Sequence, residues 1–266
     1  MTTLVIGGTG KTGAPLSKLL HAANLPFLIA SRSGKAPEPY KAVTNANIDR
    51  MYIIGPARVY EPFPIVKPFI DLARSKGVKR FVLLSTSQDE AGDPLQGALH
   101  QYLIDIRVEY TVLRPSWFQQ NFGDILTAGI RDGNQTVSAT GDGRTLFVST
   151  EDIAEVAFGA LTAEPSLNKD ILIFGPELFS NDDVAELFSS ILGRKITHQK
   201  IPIEALEKTF LGIGLSQQYA QVLGKFETNV SNGLEEEKFK SSVDKVIGKH
   251  TMEEYIRANR DLWVKQ

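Results

Sequence analysis

The chain has 266 residues, close to the size at which a single hydrophobic core stops growing, so one continuous α/β unit with an appended lobe is expected. A formal net charge of -2 argues against nucleic acid or an anionic membrane surface as the main partner, and the absence of cysteine excludes disulfides, a thiolate nucleophile and Cys-based metal sites. The first residues show no basic stretch leading into a long apolar one, and runs such as Phe81-Val82-Leu83-Leu84 are too short to span a bilayer, so the expectation is a cytoplasmic protein with no membrane partner.

The first predicted element is the apolar strand Leu4-Val5-Ile6, and residues 5–13 read VIGGTGKTG. A P-loop would need its first glycine at position 5, which is Val5, so that parse fails on spacing. The dinucleotide fingerprint fits as Gly8-x-Gly10-x-x-Gly13, and its variant for extended and atypical short-chain dehydrogenases fits as Gly7-x-x-Gly10-x-x-Gly13. An ordinary glycine-rich turn would show the same glycines. What separates the two is context: Leu16, Leu19, Leu20 and Ala23 follow at helical spacing with Asn24 as a stop, placing free N–H groups at a helix start where they favour an anion. Gly7, Thr9, Gly10, Lys11, Thr12 and Gly13 are therefore the expected pyrophosphate cradle.

The second predicted strand, 27–31, ends in Ser31-Arg32-Ser33, where an acidic residue would hold the ribose of NAD. Arg32 stands there instead, which points to the 2′-phosphate of NADP(H), with Ser31 and Ser33 assisting. Only residues 32–50 separate this strand from the third, 51–54, and they contain no clear amphipathic helix. A parallel crossover needs at least about ten to twelve residues, so this connection is irregular or has lost a segment. Further strands are expected at 80–85, 110–113 and 171–174 with helices between them, the pattern of a Rossmann-like doubly wound parallel sheet.

Such sheets bind ligands at the carboxyl ends of their strands. Gly55, Ser85 and Pro115, at the ends of the third, fourth and fifth strands, complete the expected cofactor set. Thr86 is placed as a catalytic candidate, and Ser87 as a substrate contact. A helix is expected over 93–106, carrying Gln96 as a substrate contact and His100 as a catalytic candidate, although a lone histidine on such a face is more often structural. No Tyr in the chain is followed four residues later by Lys, so the usual proton-donating dyad of short-chain dehydrogenases is missing. Trp117, Phe118 and Asn121 follow the fifth strand as substrate contacts, the two rings as flat apolar walls.

Beyond 149 the composition shifts to capping boxes and acidic helices: Ser149 to Asp152 open one, Ser180 to Asp183 another, and Gly193 closes the latter. Residues 1–150 are thus expected to form the NADP-binding Rossmann domain and 151–266 mainly a smaller substrate lobe, with a late strand returning to the sheet. Glu235-Glu236-Glu237 is read as a solvated helical face, and no metal site is expected.

Together GGTGKTG, KRFVLLSTS, EYTVLRPSWFQQNF, TEDIAEVAF and GPELFSNDDVAELFSSILGRKITH resemble the NmrA-like atypical short-chain dehydrogenases, within them the fungal ergot-alkaloid dehydrogenases of the agroclavine dehydrogenase and festuclavine synthase type. Two departures stand out: Gln119-Gln120-Asn121 replaces the family's Met-Glu-Asn, and the interval after Arg32 is shorter. The resemblance implies an NADPH-dependent oxidoreductase of indole-alkaloid biosynthesis, a monomer or homodimer acting on a small polycyclic alkaloid. Reduction of an iminium or conjugated C=N suits the missing dyad, because that carbon is already electrophilic and no oxygen needs a proton. Two further readings stay open: an NADP(H)-dependent cyclase of Diels-Alder type acting on a prenylated indole, and a regulator that senses NADP without turnover.

Overall fold

The computed structural model describes residues 1–30 and 47–264. Two units interleave along the chain, the first comprising Met1–Ala57, Glu61–Pro115 and Thr150–Ile173, the second Arg58–Tyr60, Ser116–Ser149 and Phe174–Gln266.

The first unit begins with β1 (Thr3–Ile6), α1 (Gly13–Ala22), β2 (Phe27–Ala30), β3 (Arg50–Ile54), α2 (Phe63–Ser75), β4 (Arg80–Leu84), α3 (Gly97–Asp105) and β5 (Glu109–Pro115). The chain then contributes α4 (Thr127–Gly133), β6 (Gln135–Ser138) and β7 (Arg144–Thr145) to the second unit, and returns as α5 (Thr150–Thr162) and β8 (Lys169–Phe174). The rest belongs to the second unit: β9 (Phe179–Ser180), α6 (Asn181–Leu192), β10 (Thr197–Lys200), α7 (Ile203–Gly212), α8 (Gln217–Ser231), α9 (Leu234–Ser241), β11 (Lys245–Ile247) and α10 (Met252–Ala258).

Among the described residues the main sheet has seven strands in the order β11-β8-β5-β4-β3-β1-β2, and neighbours from β8 to β2 pair in parallel. This is the expected Rossmann-like fold, and all six sequence-predicted strands are present. Alternation along the strands feeds two faces. Met51, Ile53, Phe81, Leu83 and Val112 join Val66 and Ile70 of α2 and Leu99 and Leu103 of α3 in one core, whereas Tyr52, between Met51 and Ile53, directs its hydroxyl to Thr12 at the start of α1. At the opposite end of β4, the buried Arg80 guanidinium donates to the carbonyls of Leu161 (3.1 Å) and Ala163 (2.5 Å) and to Glu109 Oε2 (2.9 Å). It thereby satisfies carbonyls that the end of α5 leaves without helical partners.

In the second unit β6 and β10 pair in parallel and β7 pairs antiparallel with β9. Ser180 caps α6 in a reciprocal box with Asp183, and Gly193 ends that helix at φ 69°, both as the sequence predicts. Its core gathers Phe122, Phe147, Phe188 and Trp263, with the Trp263 indole N–H donating to the Phe122 carbonyl at 2.9 Å. Ser138 Oγ lies 2.8 Å from His198 Nε2, and His198 Nδ1 lies 3.1 Å from Asp182 Oδ1, a spacing reminiscent of a nucleophilic triad. The Ser138 hydroxyl is already engaged by Thr140 (2.8 Å) and the Asn181 amide (3.2 Å), and the imidazole is fully buried, so the network ties β6 to β10 and α6. Among the described residues no helix is long and apolar enough to cross a membrane.

Glu235 corrects the solvated-face reading of the Glu235-Glu236-Glu237 run. Its side chain is fully buried and accepts the Ser116 hydroxyl at 2.8 Å. One position of a surface helix's first turn faces inward, and a run of like charges does not reveal which.

Candidate cofactor and active site

The turn between β1 and α1 is built by its glycines. Gly7 sits at φ 70°, in the left-handed region that favours glycine, and its carbonyl accepts the Gly10 N–H at 2.8 Å. A Cβ on Gly13 would stand 2.2 Å from that same carbonyl oxygen, so only glycine lets α1 begin against the turn. Thr12, at the helix start, makes no side-chain cap, and the first turn of α1 contains no acid. Its hydroxyl instead accepts from Tyr52 Oη at 3.1 Å. Thr9, Gly10 and Lys11 are exposed on the turn. A tight backbone and a helix start with neither cap nor acid fit the pyrophosphate of a dinucleotide.

At the end of β3, Gly55 leaves room for Gln96: a Cβ there would lie 2.5 Å from Gln96 Nε2. Gln96 Oε1 is buried without a hydrogen-bond partner. At the end of β4, the Ser85 N–H joins the Leu113 carbonyl (2.8 Å) and the Ser85 hydroxyl donates to Asp89 Oδ2 (3.2 Å). Thr86 is half-buried and its Oγ1 accepts the Gln88 N–H at 3.3 Å, while Ser87 is buried and its N–H joins the Pro115 carbonyl at 2.8 Å. The first unit thus holds the cradle, Gly55, Ser85, Thr86, Ser87, Gln96 and Pro115 at the carboxyl ends of its strands.

His100 is buried on α3 with its ring centroid 6.1 Å from that of Tyr110, and Nδ1 has no partner. Burial holds its imidazole below the ordinary histidine range against the opposing pull of Asp170. Arg114 of β5 pairs with Asp170 (2.6 Å) and Glu90 and donates to the Ser87 carbonyl (3.0 Å), which fixes the loop after β4.

Two contributors escape the sequence reading. Tyr52 carries a phenol that burial pushes above the ordinary tyrosine range, and it stays a proton donor to Thr12. The signal was its odd position in β3, paired in register with Val5 just ahead of the glycines. Asp89 is 2% exposed, and burial pushes its carboxyl up to about 6 against the opposing Gly97 and Gln96 amides and the Ser85 hydroxyl. No spacing rule marks an acid in a strand-to-helix loop.

In the second unit Trp117 and Phe118 are half-buried, and Trp117 packs against the cluster of Phe122, Phe147 and Phe188. The Trp117 carbonyl accepts the Val148 N–H at 2.8 Å, and Asn121 follows, half-buried, in a short 3₁₀ turn. Gln119, one of the departures from the family pattern, is buried and donates to the His250 carbonyl at 2.8 Å. Ser31, Arg32, Ser33 and most of the short interval up to β3 lie outside the described residues.

Comparison with known proteins adds three findings. The NmrA-like family profile matches residues 65–256. Festuclavine synthase II of Penicillium roqueforti is 39% identical over 259 residues, covering 89% of this chain and 90% of its own, and agroclavine dehydrogenase of Claviceps fusiformis is 35% identical over 288 residues, covering 99% of both. Among solved structures, the NADPH-dependent quinone oxidoreductase of Escherichia coli in complex with NADPH aligns with a TM-score of 0.72 at 17% identity, covering 96% of this chain and 99% of that one.

Proposed function

Because this chain belongs to the NmrA-like family, we propose that it is an NADPH-dependent oxidoreductase that delivers hydride to the cationic C=N of a polycyclic indole alkaloid. Relatives named festuclavine synthase and agroclavine dehydrogenase support the oxidoreductase class and an ergot-alkaloid substrate. The observation that carries the reading is the Gly7 to Gly13 turn, where a left-handed glycine and a Cβ-intolerant Gly13 present an uncapped, acid-free helix start.

When bound, the dinucleotide supplies the hydride. Gly7, Thr9, Gly10, Lys11, Thr12 and Gly13 hold its pyrophosphate, Arg32 with Ser31 and Ser33 its 2′-phosphate, and Gly55, Ser85 and Pro115 the strand-end side. Thr86 and Ser87 orient the reacting end, Trp117 and Phe118 are apolar walls, and Gln96 and Asn121 are polar contacts to substrate. As hydride reaches an iminium carbon, the π pair of the C=N bond returns to nitrogen and the amine forms without a proton. No Tyr-x-x-x-Lys dyad is present to give one, and none is needed. His100, buried and held neutral, shapes α3 against the sheet rather than carrying the step.

Incubation with NADPH and an alkaloid iminium, followed by cofactor absorbance and product mass, tests the reading. One NADPH consumed per amine formed is the expected result. Cyclised product with little net consumption would replace it with a redox-assisted cyclase, and cofactor binding without product would leave a sensor.

A further inference from the structure

Resting on that reading, we infer that Asp89 is a positioning residue that sets the hydrogen-bonding polarity of Ser85, so that the end of β4 selects a cationic group over a neutral carbonyl oxygen. A serine hydroxyl has one proton, and that of Ser85 is directed to Asp89 Oδ2 at 3.2 Å. What remains on Ser85 Oγ is lone pairs. An acceptor suits an N–H or a C=N cation; a carbonyl oxygen gaining negative charge needs donors instead. Thr86 beside it has the opposite polarity, since Oγ1 accepts the Gln88 N–H and keeps its own proton to give.

The placement of Asp89 is fixed by geometry. It is 2% exposed, it accepts the amides of Gln96 and Gly97 at the start of α3, and a Cβ on Gly97 would meet the Glu90 carbonyl at 2.0 Å, so neither loop nor helix can shift independently. Facing the carboxyl are uncharged groups, Ser85 from β4 and the two amides from α3, and one charge, Asp93, which raises its proton affinity. Its carboxyl, pushed up to about 6, is ionised above that pH and adds a negative charge one hydroxyl away from the strand end. Below it, the protonated acid can donate to Ser85 and free the serine proton, which inverts the polarity.

The test compares binding of the N-methyl-dihydroisoquinolinium ion with that of neutral α-tetralone, a two-ring ketone of similar shape, to the NADP-loaded protein by tryptophan fluorescence. Asp89→Asn is the main variant, because Asn serves a helix start as well as Asp and its amide would donate to Ser85. Wild-type protein should favour the cation at about pH 7.5 and lose that preference towards about pH 5. Asp89→Asn should lower the cation-to-ketone preference by about tenfold or more at about pH 7.5 and leave it little changed between the two pH values, while NADPH affinity stays within about threefold. Ser85→Ala should lower the same ratio, and the double variant should add little, since the two residues act as one unit. Equal weakening of both probes by Asp89→Asn, or an unchanged ratio, overturns the inference and leaves Asp89 a helix cap. Selective cation binding without NADPH oxidation would instead sink the reductase reading and leave the inference standing.

Discussion

Among the buried carboxyl groups, Asp89, Glu227 and Glu235 are each held by different partners, and the consequences differ. Glu227 on α8 is 7% exposed and accepts the Ala139 N–H at 2.5 Å. Burial outweighs that bond and pushes its carboxyl up to about 7 from an ordinary 4.5. The folded state therefore holds this proton more tightly than the unfolded chain does. Its contribution to stability is complete below about pH 4.5 and is lost as pH rises through about 7, on the order of 3 kcal/mol in all. Asp89, shifted the same way, adds a loss between about 3.8 and 6. Glu227→Gln should flatten the thermal-melting profile across this range and raise Tm at about pH 8 by several degrees; wild-type and variant curves that run parallel from acid to alkaline pH would refute the shift. Arg32 follows β2 (Phe27–Ala30) by two positions in the sequence, and that spacing is what points to its role. Arg32→Glu should weaken NADPH by about tenfold or more and leave NADH nearly unchanged in fluorescence titrations, because it exchanges a phosphate partner for a like charge. Equal changes for both cofactors would remove Arg32 from the 2′-phosphate site.

Elements were legible in the sequence where burial on both faces writes an apolar run. Leu4-Val5-Ile6 and Phe81-Val82-Leu83-Leu84 read as apolar runs because they belong to a parallel sheet whose faces are covered by helices. The capping box of Ser180 and the left-handed Gly193 were equally plain. What was hidden is short or polar: β10 reads THQK and β7 only RT, with no alternation to detect. Helix α3 begins at Gly97 rather than at the expected position 93, because residues 91–96 form the turn that brings Asp89 to its amides. Arg80 shows the same limit, since its partners Leu161 and Ala163 lie about eighty residues on. Arg80→Ala would strand Glu109 and the carbonyls at the end of α5, and a destabilisation of about 3 kcal/mol or more is expected, read as a Tm fall on the order of 10 °C. A change of no more than a degree or two would mean that water satisfies these carbonyls as well as the guanidinium does.

At the scale of the whole chain, the glycine turn between β1 and α1 was readable because one contiguous stretch, VIGGTGKTG, carries strand end, turn and helix start together. The grouping of Gly55, Ser85, Gln96 and Pro115 at the strand ends was less plain, because they arrive from β3, β4, α3 and β5 and no spacing joins them. The chain supplies the chemical constraint on the proposed reaction: no Tyr-x-x-x-Lys dyad, a buried His100 whose imidazole burial holds below the ordinary range, and a serine whose proton is directed to Asp89. These features fit hydride delivery to a cationic carbon, which needs positioning more than proton transfer. The most direct test uses NADPH deuterated at the transferring position of its nicotinamide ring, mixed with protein and an alkaloid iminium, with the product read by mass and NMR. One deuterium at the former iminium carbon for each NADPH oxidised is the expected result; a product lacking deuterium, formed without matching NADPH loss, would rule out direct hydride delivery.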